Sequence, residues 1–186
     1  MNAKETADAI RALAAADEPS RARATAALYE AGRSAAEAAT ATWRKDAELA
    51  GLFTGHPTVG VAVHPETFDK IRLANGSPEL ADVPPDQDAR EFELEFGDNV
   101  SLDILTTRDP HGAGAIARFL ARCGEAIQQV ELPVKDVDRA TAILRERFSL
   151  APLYPETRRG ANATRINFFL MQGPAAKVLI ELVENG

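Results

Sequence analysis

Histidine and cysteine are scarce in this sequence, with three histidines and one cysteine among 186 residues. A single cysteine excludes an intramolecular disulfide, and so few histidine and cysteine ligands exclude zinc fingers and iron–sulfur clusters. A metal site built from oxygen ligands stays open, because carboxylate and amide oxygens can coordinate a hard cation. The scarcity therefore restricts the ligands of any metal site without ruling one out.

Long apolar runs are also missing, since no stretch reaches the roughly 18 apolar residues of a membrane span. Residues 1–16 are interrupted by charged side chains, among them Lys4 and Arg11, so they lack the apolar segment of a secretory signal. We expect a cytoplasmic protein that does not bind a membrane.

Basic residues are outnumbered, because 21 Lys and Arg face 28 Asp and Glu, for a net charge of −7. A protein that binds duplex nucleic acid needs a basic surface, so we expect no nucleic-acid partner. The chain is 45% hydrophobic and 26% charged, which is typical of a globular protein. Its length fits one domain with an appendage.

Residues 1–52 are rich in alanine and have a helical period. The pattern predicts a first helix that Pro19 closes, and a second helix that starts after Ser20 as N-cap and runs from residue 21 to about 52. The predicted buried stripe of the second helix is Leu28, Ala31, Ala35, Ala38, Thr42 and Leu49, and the predicted large anchors are Tyr29, Trp43 and Phe53. This helical extension is either a packing appendage or a lid or dimer arm.

An order of β-α-β-β-β occurs twice in the rest of the chain, at residues 59–105 and 127–183. The first round is predicted as a strand 59–63 and a helix 66–74, followed by strands 91–96 and 100–105 on either side of a turn 97–99. Residues 77–88, between the helix and the second strand, are predicted as a loop, with a short edge strand as an alternative. A helix 112–122 leads to the second round, with a strand 127–134, a helix 136–148 and strands 151–157, 164–170 and 177–183. The repeat predicts an α+β fold.

Polar side chains alternate with apolar ones on several of these strands. Gln129 and Glu131 share one face of their strand, Glu181 is the polar member of an apolar strand, and Asp103 lies on a third strand. A buried carboxylate has to be paired, protonated, metal-bound or in contact with cavity water. The pattern predicts a polar cup, and the alternative is an ordinary solvated sheet face.

A loop with two cations follows in the second round. Arg158 and Arg159, beside Tyr154, could hold an anionic substrate, although they are equally typical of a solvated loop. Asn167 is a further predicted substrate-binding residue. Glu93 and Glu95 share a face and could supply a second base, although edge-strand solubility explains them as well.

Four short motifs lie in order at residues 116–120, 124–130, 134–138 and 177–184. In these motifs the chain resembles the vicinal oxygen chelate superfamily, which includes glyoxalase I, bleomycin-resistance proteins and extradiol dioxygenases, and it looks most like the methylmalonyl-CoA epimerases. The resemblance covers about 85 residues well. It implies two βαβββ modules, at 56–106 and 126–186, that are joined by a linker helix in 107–125 and form a half-open barrel, after an extension at 1–52.

The resemblance also implies a metal site in the barrel, with ligands His, Gln or Glu, His, and Glu. These positions fall on Thr58 (or His56), Asp103, Gln129 and Glu181, so two of the family's histidines are replaced. The predicted metal set is therefore Asp103, Gln129, Glu181 and His56, for Mg, Mn, Co, Ni or Zn, or no metal at all.

The function that the resemblance implies is an epimerase or isomerase, which moves a proton on a small oxo- or acyl-type substrate with Glu181 and Glu131 as carboxylates. The first alternative is a metal-free protein that binds a small molecule on the same scaffold. A second alternative is a non-catalytic partner that uses the alanine-rich helices as its interaction surface. A homodimer is expected, because related proteins pair modules between subunits.

Overall fold

The computed structural model describes residues 1–97, 99–173 and 176–185. Six helices and seven strands follow in the order α1 Ala3–Ala12, α2 Glu18–Ala39, α3 Ala47–Ala50, β1 Thr58–Ala62, α4 Pro65–Ala74, β2 Arg90–Glu95, β3 Ser101–Thr106, α5 Ala115–Cys123, β4 Ala126–Pro133, α6 Val137–Phe148, β5 Arg158–Arg159, β6 Arg165–Gln172 and β7 Lys177–Glu184. The strands form one mixed sheet in the order β2-β3-β1-β4-β7-β6-β5, which curls into a half-barrel. The predicted α+β class and half-open barrel are confirmed.

The first two helices differ from the predicted pattern at their junction. Asp17 is the N-cap of α2 and accepts a hydrogen bond from the Ser20 backbone N–H at 2.8 Å, so the prediction of Ser20 as cap is wrong. Pro19 lies in the first turn of α2, where its missing N–H leaves no helical bond unmade, and it therefore begins a helix rather than closing one.

The second helix ends earlier than predicted, at Ala39, and the chain continues through a short 3-10 turn at Trp43–Lys45 into α3. Its buried residues are Ala24, Thr25, Leu28, Tyr29, Gly32 and Ala36, so the predicted stripe through Ala31, Ala35 and Ala38 is wrong. The buried stripe follows Tyr29 and Gly32 because α2 approaches the sheet closely at Gly32. A Cβ there would lie 2.5 Å from Cγ1 of Val59.

The alanine-rich helices cover the convex face of the sheet. Helix α2 packs on β1, β3, β4 and β7. The predicted anchor Trp43 is fully buried, stacks on Phe53 at 6.4 Å between ring centroids and meets Phe169 edge-on. One hydrophobic core runs through helices and sheet together. Helices α1 and α2 therefore pack on the sheet, as in the predicted packing appendage. They lie on its convex face, away from the concave face, so they do not form a lid over the concave face.

Each round of strands lacks one full strand of the predicted pattern. The first round is β-α-β-β, because residues 77–89 form a loop, and 151–157 in the second round is not a strand, so that only the two-residue β5 precedes β6. Both segments contain prolines, which cannot donate to a sheet ladder. Each segment still makes one backbone bond to its neighbouring strand, from Ala81 N–H to the Glu91 carbonyl and from Leu153 N–H to the Phe168 carbonyl. The predicted turn 97–99 includes Asp98, which lies outside the described residues.

The two edges of the curled sheet are tied together by residues 81–87, which we call the strap. Asp82 and Asn162 exchange two hydrogen bonds, from Asp82 N–H to Asn162 Oδ1 at 2.9 Å and from Asn162 N–H to the Asp82 carbonyl at 3.0 Å. Gln87 Nε2 donates to the Arg159 carbonyl at 2.8 Å. The strap crosses from the β2 edge to the β5 edge, so the half-barrel encloses a cup. None of the helices in the described ranges is long and apolar enough to cross a membrane.

Candidate functional site

The concave face of the sheet lines a cavity of about 1200 Å³. Strand alternation sends every second side chain into it, as predicted for Gln129, Glu131 and Glu181. The polar lining from the strands consists of Thr58 (β1), Glu91 and Glu93 (β2), Asp103 (β3), Gln128, Gln129 and Glu131 (β4) and Glu181 (β7). The intervening residues of the same strands, such as Val59, Leu102 and Ile180, are fully buried against the helices. The sheet thus separates an apolar core from an acidic cup.

Gly60 makes room in the floor of this cup. It is paired with Asp103 on one side and with Gln129 on the other. A Cβ at Gly60 would lie 2.6 Å from Cγ of Gln129 and 3.1 Å from Cδ1 of Leu105, so the Gln129 side chain extends across the space that a larger residue would fill. The glycine on β1 therefore lets the amide of Gln129 reach across the floor.

Gln129 connects two of the carboxyl groups. Its Nε2 donates to Oε1 of Glu131 at 3.2 Å and also to Oε2 of Glu181. Glu131 and Glu181 are Cα partners on the parallel strands β4 and β7, so their side chains stand next to each other. Nε2 of Gln129 thus lies between the two carboxyl groups.

The cup contains four carboxyl groups that raise one another's pKa. Burial and the charges of Glu91 and Asp103 raise the pKa of Glu181, which is 6% exposed. Burial and the neighbouring Glu181 raise the pKa of Glu131 to about 8. Burial and Asp103 raise the pKa of Glu91 to about 8.

Asp103 completes this group. Burial and the adjacent Glu131, which lies within hydrogen-bonding reach, raise the pKa of Asp103 well above its usual range. Neighbouring carboxyls in a buried cavity disfavour each other's ionisation, because like charges repel. The cup therefore brings together carboxyl groups whose pKa values are all shifted upward.

A bulge in β4 adds a second amide beside Gln129. The pairing with β1 shifts between Gly60, which faces Gln129, and Val61, which faces Ile127, so Gln128 is the extra residue. Gln128 also lines the cavity, and its Oε1 is buried without a hydrogen-bond partner among the described residues. This oxygen is an acceptor available to a ligand that carries a donor group.

Two arginines line the cavity outside the strand floor. The guanidinium of Arg158 lies 4.1 Å from the ring centroid of Tyr154, and the Tyr154 ring meets Phe168 edge-on at 5.9 Å. All three residues line the cavity, as does Arg118 of α5. A cation held over an aromatic ring keeps a defined position, so Arg158 can meet an anionic group at the mouth.

Two of the predicted substrate-binding residues lie elsewhere. Asn167 is fully buried on the opposite side of β6, where its amide donates to the Tyr154 carbonyl at 3.2 Å. Arg159 is exposed outside the cavity lining and pairs with Asp82 at 3.7 Å. Neither residue lines the cavity, and on β6 it is Ile166 and Phe168 that face the cup. Arg158 and Tyr154 are brought to the cavity.

Glu91 was missed as a site residue. It lines the cavity from β2 and is half-buried, whereas Glu93 on the same face is exposed. The only sequence signal for Glu91 is that it shares its strand face with Glu93 and Glu95, a pattern that solvated edge strands show as well.

The predicted metal ligands Asp103, Gln129, Glu181 and His56 all line the cavity. Gln129 is hydrogen-bonded to the two glutamates, and His56 lies in the exposed segment before β1. Within residues 1–97, 99–173 and 176–185, no group of three or more His, Cys, Asp or Glu side chains is arranged to hold a metal ion. A metal at these ligands stays a prediction.

Solved structures of methylmalonyl-CoA epimerases share this fold. The epimerase from Mycobacterium tuberculosis is 32% identical, with 73% of this chain and 90% of that chain covered and a TM-score of 0.59. A variant of the Streptomyces coelicolor epimerase in complex with 2-nitronate-propionyl-CoA is 26% identical, with 72% and 99% covered and a TM-score of 0.55. An epimerase in complex with methylmalonyl-CoA and NH₄⁺ is 27% identical, with 73% and 96% covered and a TM-score of 0.55. No protein-family model and no curated protein matches the chain.

The curled mixed sheet with its N-terminal helical segment is consistent with the vicinal oxygen chelate fold. The chain belongs to the vicinal oxygen chelate superfamily, as a methylmalonyl-CoA epimerase-like member, and the predicted resemblance is confirmed.

Proposed function

We propose that the protein is an isomerase-type enzyme that epimerises a small acyl-CoA thioester by moving a proton on the carbon next to the thioester carbonyl. The observation that carries the proposal is the buried Glu181 carboxyl in the cup, which is held by Gln129 and surrounded by groups that exchange protons near neutral pH. The similar epimerase structures contain methylmalonyl-CoA or a nitronate analogue of its propionyl group. Methylmalonyl-CoA is therefore the first substrate to test.

The proposed roles follow from position. Glu181 takes or returns the proton, because its carboxyl lines the cavity, is hydrogen-bonded to Gln129 and has a pKa that burial raises. Glu131, next to it, was predicted as the partner carboxylate, and Gln129 keeps the two apart. Arg158 and Arg118 at the mouth are suited to the phosphates of a CoA group. A resident divalent metal and a homodimer stay predictions.

Substitution Glu181→Gln tests the proposal, because it keeps the shape of the side chain and removes the proton-carrying group. We expect the epimerisation rate with methylmalonyl-CoA to fall about 100-fold or more, in line with the loss of a general base. The measurement is chiral resolution of the two epimers, combined with proton exchange in D₂O. Melting temperature is the control, and it should not fall, since a buried carboxyl is removed without loss of volume.

A binding protein is the second candidate, favoured by Thr58 and Gln129 at the positions where the superfamily resemblance implies histidine. Wild-type protein that binds methylmalonyl-CoA but neither epimerises it nor exchanges its proton, with and without added Mg, Mn or Co, would contradict the enzyme proposal and support this alternative.

A further inference from the structure

The charges around Glu181 restrict the kind of group that a substrate can place there. The strands bring carboxyl groups into the cavity from several sides, namely Glu91, Glu93, Asp103, Glu131 and Glu181. Among the described residues of β1, β2, β3, β4, β6 and β7, no lysine or arginine lines the cavity. The strands that form the floor therefore provide no basic side chain to neutralise a bound anion.

The two arginines of the cavity lining are each held by a contact outside the floor. The guanidinium of Arg158 lies over the Tyr154 ring, with 4.1 Å to the ring centroid. Arg118 is exposed on α5, and its Nη1 donates to the carbonyl of Ala113. In these positions the arginines are suited to an anionic group at the mouth, and they do not offset the carboxyls on the strands.

The other neighbours of Glu181 on the concave face are apolar. Phe168 is its Cα partner on β6, and Leu179 and Val183 lie two residues to either side of it on the same face of β7. All three side chains line the cavity and are half-buried. A substrate group beside Glu181 therefore contacts apolar carbon on the β6 and β7 side and the carboxyl of Glu131 on the β4 side.

A carboxylate placed beside Glu181 would lose hydration without gaining an ion pair from the floor, and this loss costs free energy of binding. It would also meet the repulsion that the carboxyls of the cup exert on one another, which together with burial raises the pKa of Glu131 to about 8. An uncharged group of the same size avoids both costs, and its carbon end can pack on Phe168 and Leu179.

We propose that the cup selects an acyl-CoA with an uncharged 3-oxo group, a 2-methyl-3-oxoacyl thioester, over the carboxylate-bearing methylmalonyl-CoA. This inference rests on the proposed epimerase function and names the class of its substrate. In such a thioester the carbon to be epimerised lies between two carbonyl groups, which make its proton acidic without placing a negative charge in the cup before the reaction. The carbon end of the 3-oxo group contacts Phe168 and Leu179.

The experiment compares methylmalonyl-CoA with 2-methylacetoacetyl-CoA. Their acyl groups have the same number of heavy atoms and differ in that a carboxylate oxygen is replaced by a methyl group. Calorimetric titration of the full-length protein gives a Kd for each, without added metal and with Mg, Mn or Co, because a divalent metal would supply a countercharge. Deuterium incorporation in D₂O is measured against the uncatalysed rate. We expect 2-methylacetoacetyl-CoA to bind about 10-fold or more tightly than methylmalonyl-CoA, and its exchange to be accelerated.

Two matched variants test whether the carboxyls of the cup cause this preference. Glu131→Gln removes one carboxyl beside Glu181, so methylmalonyl-CoA should gain affinity and the ratio of the two Kd values should fall about 3-fold or more. Glu146→Gln removes the same charge from the exposed surface of α6, away from the cavity lining, and should leave the ratio unchanged. An equal fall in both variants, or no fall in a folded Glu131→Gln protein, overturns the assignment of the preference to the cup.

The outcomes separate this inference from the function on which it rests. If methylmalonyl-CoA binds the wild-type protein as tightly as 2-methylacetoacetyl-CoA in any metal condition, the substrate class is wrong, and its epimerisation would leave the epimerase function intact. If the uncharged thioester binds more tightly but neither thioester exchanges its proton faster than in buffer, the epimerase function is wrong. Binding of neither thioester overturns both. The wild-type Kd ratio decides the substrate class even if Glu131→Gln does not fold.

Discussion

The two faces of the same sheet carry different kinds of residue. On the convex face Val59, Leu102 and Ile180 are fully buried under the N-terminal helices. On the concave face, one residue away along each strand, Thr58, Asp103 and Glu181 line a cavity. Burial of apolar area stabilises the fold, whereas burial of carboxyls costs free energy of folding. The comparison indicates that stability resides on one face and chemistry on the other.

The largest expected effect is a loss of stability at the centre of the convex side. Trp43 is fully buried between Phe53 and Phe169, so Trp43→Ala should lower the free energy of unfolding by about 3–5 kcal/mol. Chemical denaturation measures this loss, and Trp43→Phe is the control with a smaller cavity. A Trp43→Ala protein as stable as wild type would contradict the assignment of the core to this face.

A sharper comparison uses the same substitution on either side of β1. At Gly32 a Cβ would lie 2.5 Å from the stiff, buried Val59, so Gly32→Ala should cost about 1–3 kcal/mol through overpacking. At Gly60 a Cβ would displace Gln129, so Gly60→Ala should remove the Gln129–Glu181 bond and lower activity more than stability. Thermal melts and epimerisation rates of the two variants test this. If both substitutions lowered melting temperature and epimerisation rate to the same extent, the distinction between the two faces would be contradicted.

The third comparison concerns the slope of stability with pH. The folded-state pKa values of Glu91 and Glu131, about 8, lie above the unfolded value of about 4.3, so the folded protein binds more protons between these limits. Stability should therefore be highest near pH 5 and fall as the pH rises through 8. The lowered pKa of Asp138 acts only below this window.

Melting temperature measured from pH 5 to 8.5 tests this slope. The slope should flatten in Glu131→Gln and persist in Trp43→Phe, which leaves the cup unchanged. A melting temperature that rises over the same range would contradict the raised pKa values.

Much of the site was predictable because strand alternation is local. Gln129, Glu131 and Glu181 are flanked by apolar residues, and a period of two is enough to assign their face. Asn167 was assigned to the wrong face because Arg165 and Asn167 alternate with Ile166 and Phe168, and the sequence permits either set to point inward. Glu91 was missed because only the curl of the sheet, which depends on contacts far apart in sequence, brings β2 to face β7.

Local sequence patterns predict one part of the fold, and contacts between distant segments determine the other part. The order of strands and helices and the acidic cup follow from patterns within each segment. The phase of the buried stripe on α2 does not, because the close approach of Gly32 to Val59 determines it. Residues 77–88 were predicted as a loop and form one, whereas 151–157 was predicted as a strand and is not one, because this proline-containing segment makes a single backbone bond to β6.

The strap also has a consequence for folding. Its bond from Asp82 to Asn162 joins residues 80 positions apart, and Gln87 and Arg159 are 72 apart. Contacts this distant in sequence form only after the entropy of closing a long loop has been lost, so we infer that the ring around the cup closes late, on a sheet already backed by α2. A ligand that touches both the strap and the floor would then stabilise the closed ring, because it binds only after closure.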